Sequence, residues 1–403
     1  MANSVKRTEP SAWIFGVGLG VLYVIGVLVF RFHRSVIDEY FHYAQVTLFY
    51  SGFWRVVPQL TTIPGYHAVV ALILRVVGND HLDTARFVHA SLCLIAIAGF
   101  FALRRRLWPG TETAATAQFV VLPIMAPLLF VVYTDVPAVA LLLWATWAVV
   151  SGRSFLSALL LCLLVLVRQH EIVLGAFLVF LAARPPNGWR QLPKAWRESF
   201  HRAWPFALPL LLFFAFWRWN GTISLSPGQA AFHPDVSFHT GNVFMALLAA
   251  GLLLPAQTAI ELRHFYSNLR ERPWLLLFPA IAFMAFWFGF RANNPLNGHF
   301  YSDYFRHYLP IRLAAALIIT CVACSLWRIR LRPAESGLAL GTVAAVFLAA
   351  SWLIELRYLI PPFALWLAMR EHRYPRVEYA TLALWIILAV LMTYLAFTSR
   401  FFV

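Results

Sequence analysis

The chain carries long uninterrupted apolar runs, among them Ser11 to Phe30, Ala114 to Tyr133 and Thr381 to Phe397. At about 1.5 Å of rise per residue, such runs reach across a hydrocarbon core of roughly 30 Å. Inside lipid the backbone finds no hydrogen-bond partner beyond its own segment, so spanning runs fold as helices. Composition agrees, since 61% of the 403 residues are hydrophobic and 12% are charged, against about 25% charged in a soluble domain. The expected class is an all-α polytopic membrane protein.

Lys6 and Arg7 precede the first run, which is too long for a signal-peptide core and lacks a small-residue cleavage site, so it reads as a retained helix. Cys93, Cys162, Cys321 and Cys324 all lie in apolar runs, which suggests neither a disulfide framework nor a zinc knuckle. The CxxC at Cys321 and Cys324 reads as small-residue packing. The net charge of +15 does not imply nucleic acid, because the basic residues are spread between apolar runs instead of forming one patch. Thirty arginines against two lysines point to a GC-rich, bacterial genome.

Basic residues also orient the chain. With the short run Pro64 to Val77 treated as juxtamembrane or re-entrant, about thirteen spans result, and 20 of the 32 lysines and arginines fall on the cytoplasmic side. They include Arg104 to Arg106, Arg190, Arg330, Arg370 and Arg373. The N-terminus is then cytoplasmic, the C-terminus external, and all six aspartates sit at the outer face. The organisation expected is one transmembrane domain over 1–403, with a first external loop over 31–83 carrying juxtamembrane or re-entrant helices. A multi-pass protein of the bacterial inner membrane follows, or of the endoplasmic reticulum if the source is eukaryotic.

The polar clusters concentrate on that outer face. On a helix, Asp38, His42 and Gln45 share one side with Glu39 at its flank, placing two carboxylates and an imidazole at a membrane surface. A solvated interfacial helix is the plainer alternative. Thr61, Thr62 and Tyr66 surround Pro64-Gly65, where a proline can open a helix and the threonines can cap it or bind a polar ligand. Asp135 ends Tyr133-Thr134-Asp135, and Arg168-Gln169-His170-Glu171 interrupts two spans. Ionisable groups at such depth are expensive unless they serve a cavity, with an internal Arg168–Glu171 ion pair as the alternative. Farther on come Asn220-Gly221, the loop with His233 and Asp235, Asp303 with Arg306-His307-Tyr308, and Glu355-Leu356-Arg357-Tyr358. Arginine suits phosphate because its planar fork donates parallel hydrogen bonds and stays charged.

Taken in order, DExFHxxQ at Asp38 to Gln45, TTxPGY at Thr61 to Tyr66, YTD at Tyr133 to Asp135, Arg168-Gln169, Asn220-Gly221, Arg306 to Tyr308 and ExRYxIxP at Glu355 to Pro362 resemble the dolichyl-phosphate-glucose α-1,2-glucosyltransferase family. The likeness is collinear from Asp38 to Pro362. Three features depart from the family pattern. Val56-Val57-Pro58 stands where the family has tryptophan-aspartate-proline, the glycine-aspartate-basic-serine pattern after Asn-Gly is absent, and Asp303 is displaced by one residue.

That resemblance implies a GT-C fold and an inverting transfer of a hexose, with glucose expected, from a polyprenyl-phosphate-linked donor. The acceptor would be a lipid-linked glycan or another envelope acceptor on the non-cytoplasmic face. Asp38 would be the general base, with Glu39 and His42 orienting the acceptor or the base. Arg306, His307 and Arg357 would stabilise phosphate charge. Gln45, Thr61, Thr62, Tyr66, Asp135, Arg168, Gln169, Asn220, Asp303, Tyr308, Glu355 and Tyr358 would complete the substrate-binding set. No metal or other cofactor is expected, since a lipid phosphate is already a good leaving group. The partners are the polyprenyl-phosphate sugar, a glycan acceptor and the bilayer. A mannose-transferring relative and a lipid-linked glycan flippase are the competing readings, although neither an internal repeat nor a midplane charge cluster favours a transporter.

Overall fold

The computed structural model describes residues 12–31, 34–36, 38–185, 189–226, 238–290, 305, 307–326, 329–351 and 353–398. Its helices are α1 (Ala12–Arg31), α2 (Glu39–Tyr50), α3 (Gly65–Val77), α4 (Leu82–Leu107), α5 (Glu112–Val120), α6 (Asp135–Val150), α7 (Ser154–Val167), α8 (Ile172–Ala183) and α9 (Leu192–Ala203). They continue as α10 (Ala207–Asn220), α11 (Gly241–Leu253), α12 (Pro255–Leu269), α13 (Leu277–Gly289), α14 (Leu309–Leu326), α15 (Ser336–Ala350), α16 (Ile360–Met369) and α17 (Pro375–Phe397). Among the described residues the only β pairing is an isolated bridge between Leu331 and Arg370. The all-α expectation holds.

The run from Ala114 to Tyr133 is not one helix. α5 stops at Val120, and residues 121–134 then pass Pro123 and Pro127 as irregular backbone with one 3-10 turn, Ala126–Leu129. A proline inside a helix removes a hydrogen bond and collides with the preceding turn. The segment is nevertheless buried, with Leu122, Met125, Leu128, Val132 and Tyr133 inaccessible to solvent. Non-helical backbone survives at membrane depth only where protein surrounds it or a cavity is lined by it. Here it carries Tyr133-Thr134-Asp135 inward.

Helix length distinguishes two kinds of apolar segment. Among the described residues, Leu82–Leu107, Pro193–Asn220, Leu309–Leu326 and Pro375–Phe397 are each long and apolar enough to span, and α11 with α12 makes a further span if their 99° bend lies within one crossing. Among the described residues, further apolar helices are shorter. α6, α7 and α8 have 16, 14 and 12 residues, or roughly 24, 21 and 18 Å. The polar turn Arg168–Glu171 separates α7 from α8. The protein remains a multi-pass membrane protein, with large apolar side chains such as Leu211, Ile281, Leu317, Ile387 and Val390 turned outward.

α4, at 26 residues, runs roughly 39 Å and packs against α6. At Gly99 an added Cβ would fall 2.9 Å from the Trp144 ring nitrogen, so only glycine permits this approach. Trp144 Nε1 then donates to the Ile95 carbonyl at 3.0 Å. α2 and α3 lie over one end of this core. Gly65 opens α3 against the last turn of α7, where a Cβ would meet the Leu166 carbonyl oxygen at 2.6 Å.

The opposite end is closed by arginines. Arg370 is fully buried and donates to Glu378 at 2.8 and 2.6 Å, to Gln257 at 2.7 Å and to Gln118 at 3.0 Å. Arg104, also fully buried, donates to Thr111 and to the Ala368 carbonyl. Both were expected as loop charges. Both are instead interior ties among α4, α5, α12 and α17.

Candidate active site

The site is built on the first turn of α2, and one buried ion pair sets it in place. Glu39 is completely buried, and its carboxylate accepts hydrogen bonds from Arg86 Nε at 2.8 Å, from Arg86 Nη2, from the Val36 amide at 3.0 Å and from the Val132 amide at 2.9 Å. Arg86 also donates to the Phe30 and Arg34 carbonyls. The pair therefore joins the end of α1, α2, α4 and the irregular segment before α6. With all its lone pairs occupied by these donors, Glu39 ties the start of α2 to its neighbours.

Asp38 takes the position outside this pair. It precedes α2, its side chain keeps 39% of its exposure, and its Oδ2 accepts from Arg357 Nη1 at 3.2 Å. Arg357 Nε donates to Glu355 at 2.5 Å. Arg357 is steadied by the Tyr133 and Tyr358 rings, each 6.0 Å from its guanidinium. Deeper in, Arg168 pairs with Asp135, at the start of α6, and lies 3.3 Å from Glu171. Its guanidinium is 5.9 Å from the Tyr358 ring. His42 rests against Tyr133 at 4.8 Å, and His170 meets Tyr358 edge-on at 5.8 Å. Four motifs that are far apart in the chain thus meet in one cluster. Each arginine lies between two carboxylates.

Electrostatics follow from burial. His42 is pushed down to about 3 by burial and then by the charges of Arg357, Arg168 and His89, so the imidazole is neutral at ordinary pH. Burial also raises the Tyr358 phenol, which stays protonated. Among the described residues, no group of three or more histidine, cysteine, aspartate or glutamate side chains is arranged to hold a metal ion.

Other expected ligands turn out to be occupied by the protein itself. Gln45 donates to the Arg55 carbonyl at 2.9 Å and accepts from the Val57 amide at 2.8 Å. Tyr66 shares a 2.7 Å hydrogen bond with His89. Gln169 accepts from the Ile63 amide and donates to the Thr61 and Ile223 carbonyls, tying the threonine motif to the loop after α10. Asn220 caps its own turn through the Thr222 and Ser224 carbonyls, with Gly221 at φ +79° closing the helix. Gln169 and Asn220 direct their amide N–H bonds at backbone carbonyls, Gln45 directs one, and Tyr66 bonds to the His89 ring. Thr62 is buried with its hydroxyl unpaired among the described residues, while Thr61 serves through its carbonyl.

Asp303 and Arg306 lie outside the described residues, as do His233 and Asp235. His307 and Tyr308 are exposed just before α14 and are not brought into the cluster. Three residues that the sequence reading passed over matter here: Arg86, His67 and Asn242. Asn242, on α11, donates to the Ser351 and Leu353 carbonyls and accepts from the Glu355 amide, so it shapes the turn presenting Glu355 and Arg357.

The model of the DIE2/ALG10 family matches residues 32–191, the stretch holding Asp38, Glu39, His42, Asp135 and Arg168. No curated protein matches the chain. Among solved structures it is similar to ArnT from Cupriavidus metallidurans bound to undecaprenyl phosphate, at 16% identity over 95% of this chain and 78% of that one, with a TM-score of 0.46. It is also similar to ArnT from the same organism in the apo state, at 16% identity over 96% and 78%, with a TM-score of 0.45.

Proposed function

We propose that this chain, which matches the model of the DIE2/ALG10 family over residues 32–191, is a glycosyltransferase that moves a hexose, glucose in the first instance, from a polyprenyl-phosphate carrier to a glycan hydroxyl with inversion. The observation that carries this reading is the partly open Asp38–Arg357–Glu355 group lying over the buried Arg168–Asp135–Glu171 group. A carboxylate able to accept a proton stands beside an arginine able to accept a phosphate.

In the proposed reaction the acceptor hydroxyl loses its proton to Asp38 as its oxygen bonds to the anomeric carbon. On the opposite side of the sugar the bond from that carbon to the phosphate oxygen breaks, and polyprenyl phosphate leaves with the electron pair. Arg357 bears the charge growing on the phosphate, and such preorganised donors supply much of the transition-state stabilisation in charged reactions. Arg168 adds positive potential from below while Asp135 and Glu171 hold it still. Inversion needs base and leaving group on opposite faces, so the acceptor enters from the Asp38 side. The reaction is placed on the non-cytoplasmic face, in line with the basic residues that mark the other end.

Reconstituted protein given synthetic polyprenyl-phosphate glucose or mannose, with lipid-linked saccharides read by mass spectrometry, tests the reading. Transfer from the glucose donor alone is expected. Transfer from mannose alone reassigns the sugar, and translocation without any transfer replaces the enzyme by a flippase.

A further inference from the structure

His42 does not stand alone at the site. Its Nδ1 is 2.8 Å from Nε2 of His67 on α3, and the two ring planes differ by only 7°. Ring centroids 5.1 Å apart with nitrogens this close require rings meeting edge to edge in nearly one plane. Ring-nitrogen lone pairs and N–H bonds lie in that plane, so this is an N–H···N hydrogen bond and not a face-to-face stack. One proton lies between the two nitrogens, and which ring owns it determines what His42 can do.

Two neutral arrangements are available. If His42 donated from Nδ1, the remaining proton of His67 would sit on its Nδ1, which is completely buried and has no partner among the described residues. Orphaned buried N–H groups are rare in proteins, whereas a bare acceptor lone pair is tolerated more often. If His67 donates, only a lone pair is left unpaired. His42 then carries its proton on Nε2, the nitrogen without a protein partner among the described residues, on a side chain that keeps 8% exposure. His42 and Arg357 both lie near the Tyr133 ring, 4.8 and 6.0 Å from its centroid, and the charge of Arg357 acts on His42.

We infer that His67 is a positioning residue that locks His42 as its Nε2–H tautomer, making His42 a neutral hydrogen-bond donor to an anionic phosphate oxygen of the lipid-linked donor. The inference rests on the proposed function for the identity of that oxygen. The depressed titration of His42, driven first by burial, agrees with an imidazole that gives a hydrogen bond without giving up a proton.

The test uses the full-length protein in nanodiscs, labelled with 15N-histidine and assigned by comparing His42→Asn and His67→Gln spectra. His42 is expected with Nδ1 bare and Nε2 protonated. His67→Gln, whose amide still donates, retains kcat within about threefold. His67→Phe, which donates nothing, lowers kcat by about tenfold or more, the scale of one hydrogen bond to a charged group, and leaves His42 in mixed tautomers. A protonated His42 Nδ1 in the unmodified protein overturns the inference, as do equal kcat values for His67→Gln and His67→Phe. The spectrum needs no substrate. Failure of transfer from every polyprenyl-phosphate hexose would therefore remove the proposed function without touching the tautomer assignment.

Discussion

Arg357 donates to Asp38 at 3.2 Å across 319 positions of the chain. The proposed base and the proposed phosphate ligand thus hold each other. An arriving phosphate competes with Asp38 for the guanidinium, and each contact it wins leaves the carboxylate freer to accept a proton. Glu355 stays on Arg357 Nε and keeps the side chain aimed during that exchange.

Replacing Arg357 by glutamine should therefore lower kcat/KM for the lipid-linked donor by roughly 10- to 200-fold, the scale of about 1.5 to 3 kcal/mol for a hydrogen bond to a charged group. Arg357→Lys keeps the charge but loses the fork, so it should fall between. Steady-state kinetics with varied donor in nanodiscs measures this. A loss confined to acceptor dependence would make Arg357 structural.

Asp38→Asn should leave the fold intact, since the side chain is partly exposed and makes one ion pair, yet should lower turnover by roughly 10²- to 10⁴-fold through loss of the base. Single-turnover transfer with saturating donor is the appropriate measurement. Near-normal transfer would move the base elsewhere.

The convergence of Asp38, His42, Asp135, Arg168 and Arg357 was legible in the chain as polar motifs interrupting apolar runs, because charge at membrane depth is retained only with a partner or a use. Arg86 was not legible. It sits one turn inside an apolar helix, and its partner Glu39 is 47 positions away, so the pair exists only once α2 is folded onto α4. His67 likewise follows Tyr66 in an apolar helix and looks like any core histidine. Gln45, Tyr66, Gln169 and Asn220 hydrogen-bond within the fold, a use that has the same sequence pattern as ligand binding. Hydropathy read Ala114 to Tyr133 as a span because a buried loop and a spanning helix need the same apolar residues. Pro123 and Pro127 were the signal that they differ.

Glu39 separates stability from chemistry. Removing its charge with Glu39→Gln leaves Arg86 buried without its carboxylate, and breaking a buried pair from one side costs about 3 to 5 kcal/mol. Yield and thermal inactivation half-life should fall steeply, while the surviving folded fraction retains much more single-turnover activity than Asp38→Asn. Equal stability of Glu39→Gln and unmodified protein would contradict the assignment.

The far end of the bundle offers a test of packing with the chemistry left alone. Arg370 is fully buried and gives two hydrogen bonds to Glu378, while Gln257 and Gln118 take its remaining donors. Arg370→Met strands the Glu378 carboxylate in the interior with only the Gln118 amide donating to it, apart from His372 at 3.8 Å. A loss of about 3 to 5 kcal/mol is expected, read as a shortened inactivation half-life, since membrane proteins of this size seldom unfold reversibly. Arg370→Met with Glu378→Met removes both charges and should recover part of that loss, because a buried pair contributes little net stability beyond what apolar side chains of similar size provide. Both proteins should keep kcat per folded molecule, because α4 separates Arg370, near Arg104 at its last turn, from Glu39, bonded to Arg86 at its first. A double variant no more stable than Arg370→Met would show that the hydrogen bonds to Gln118 and Gln257, and not the charge pair, hold this end together.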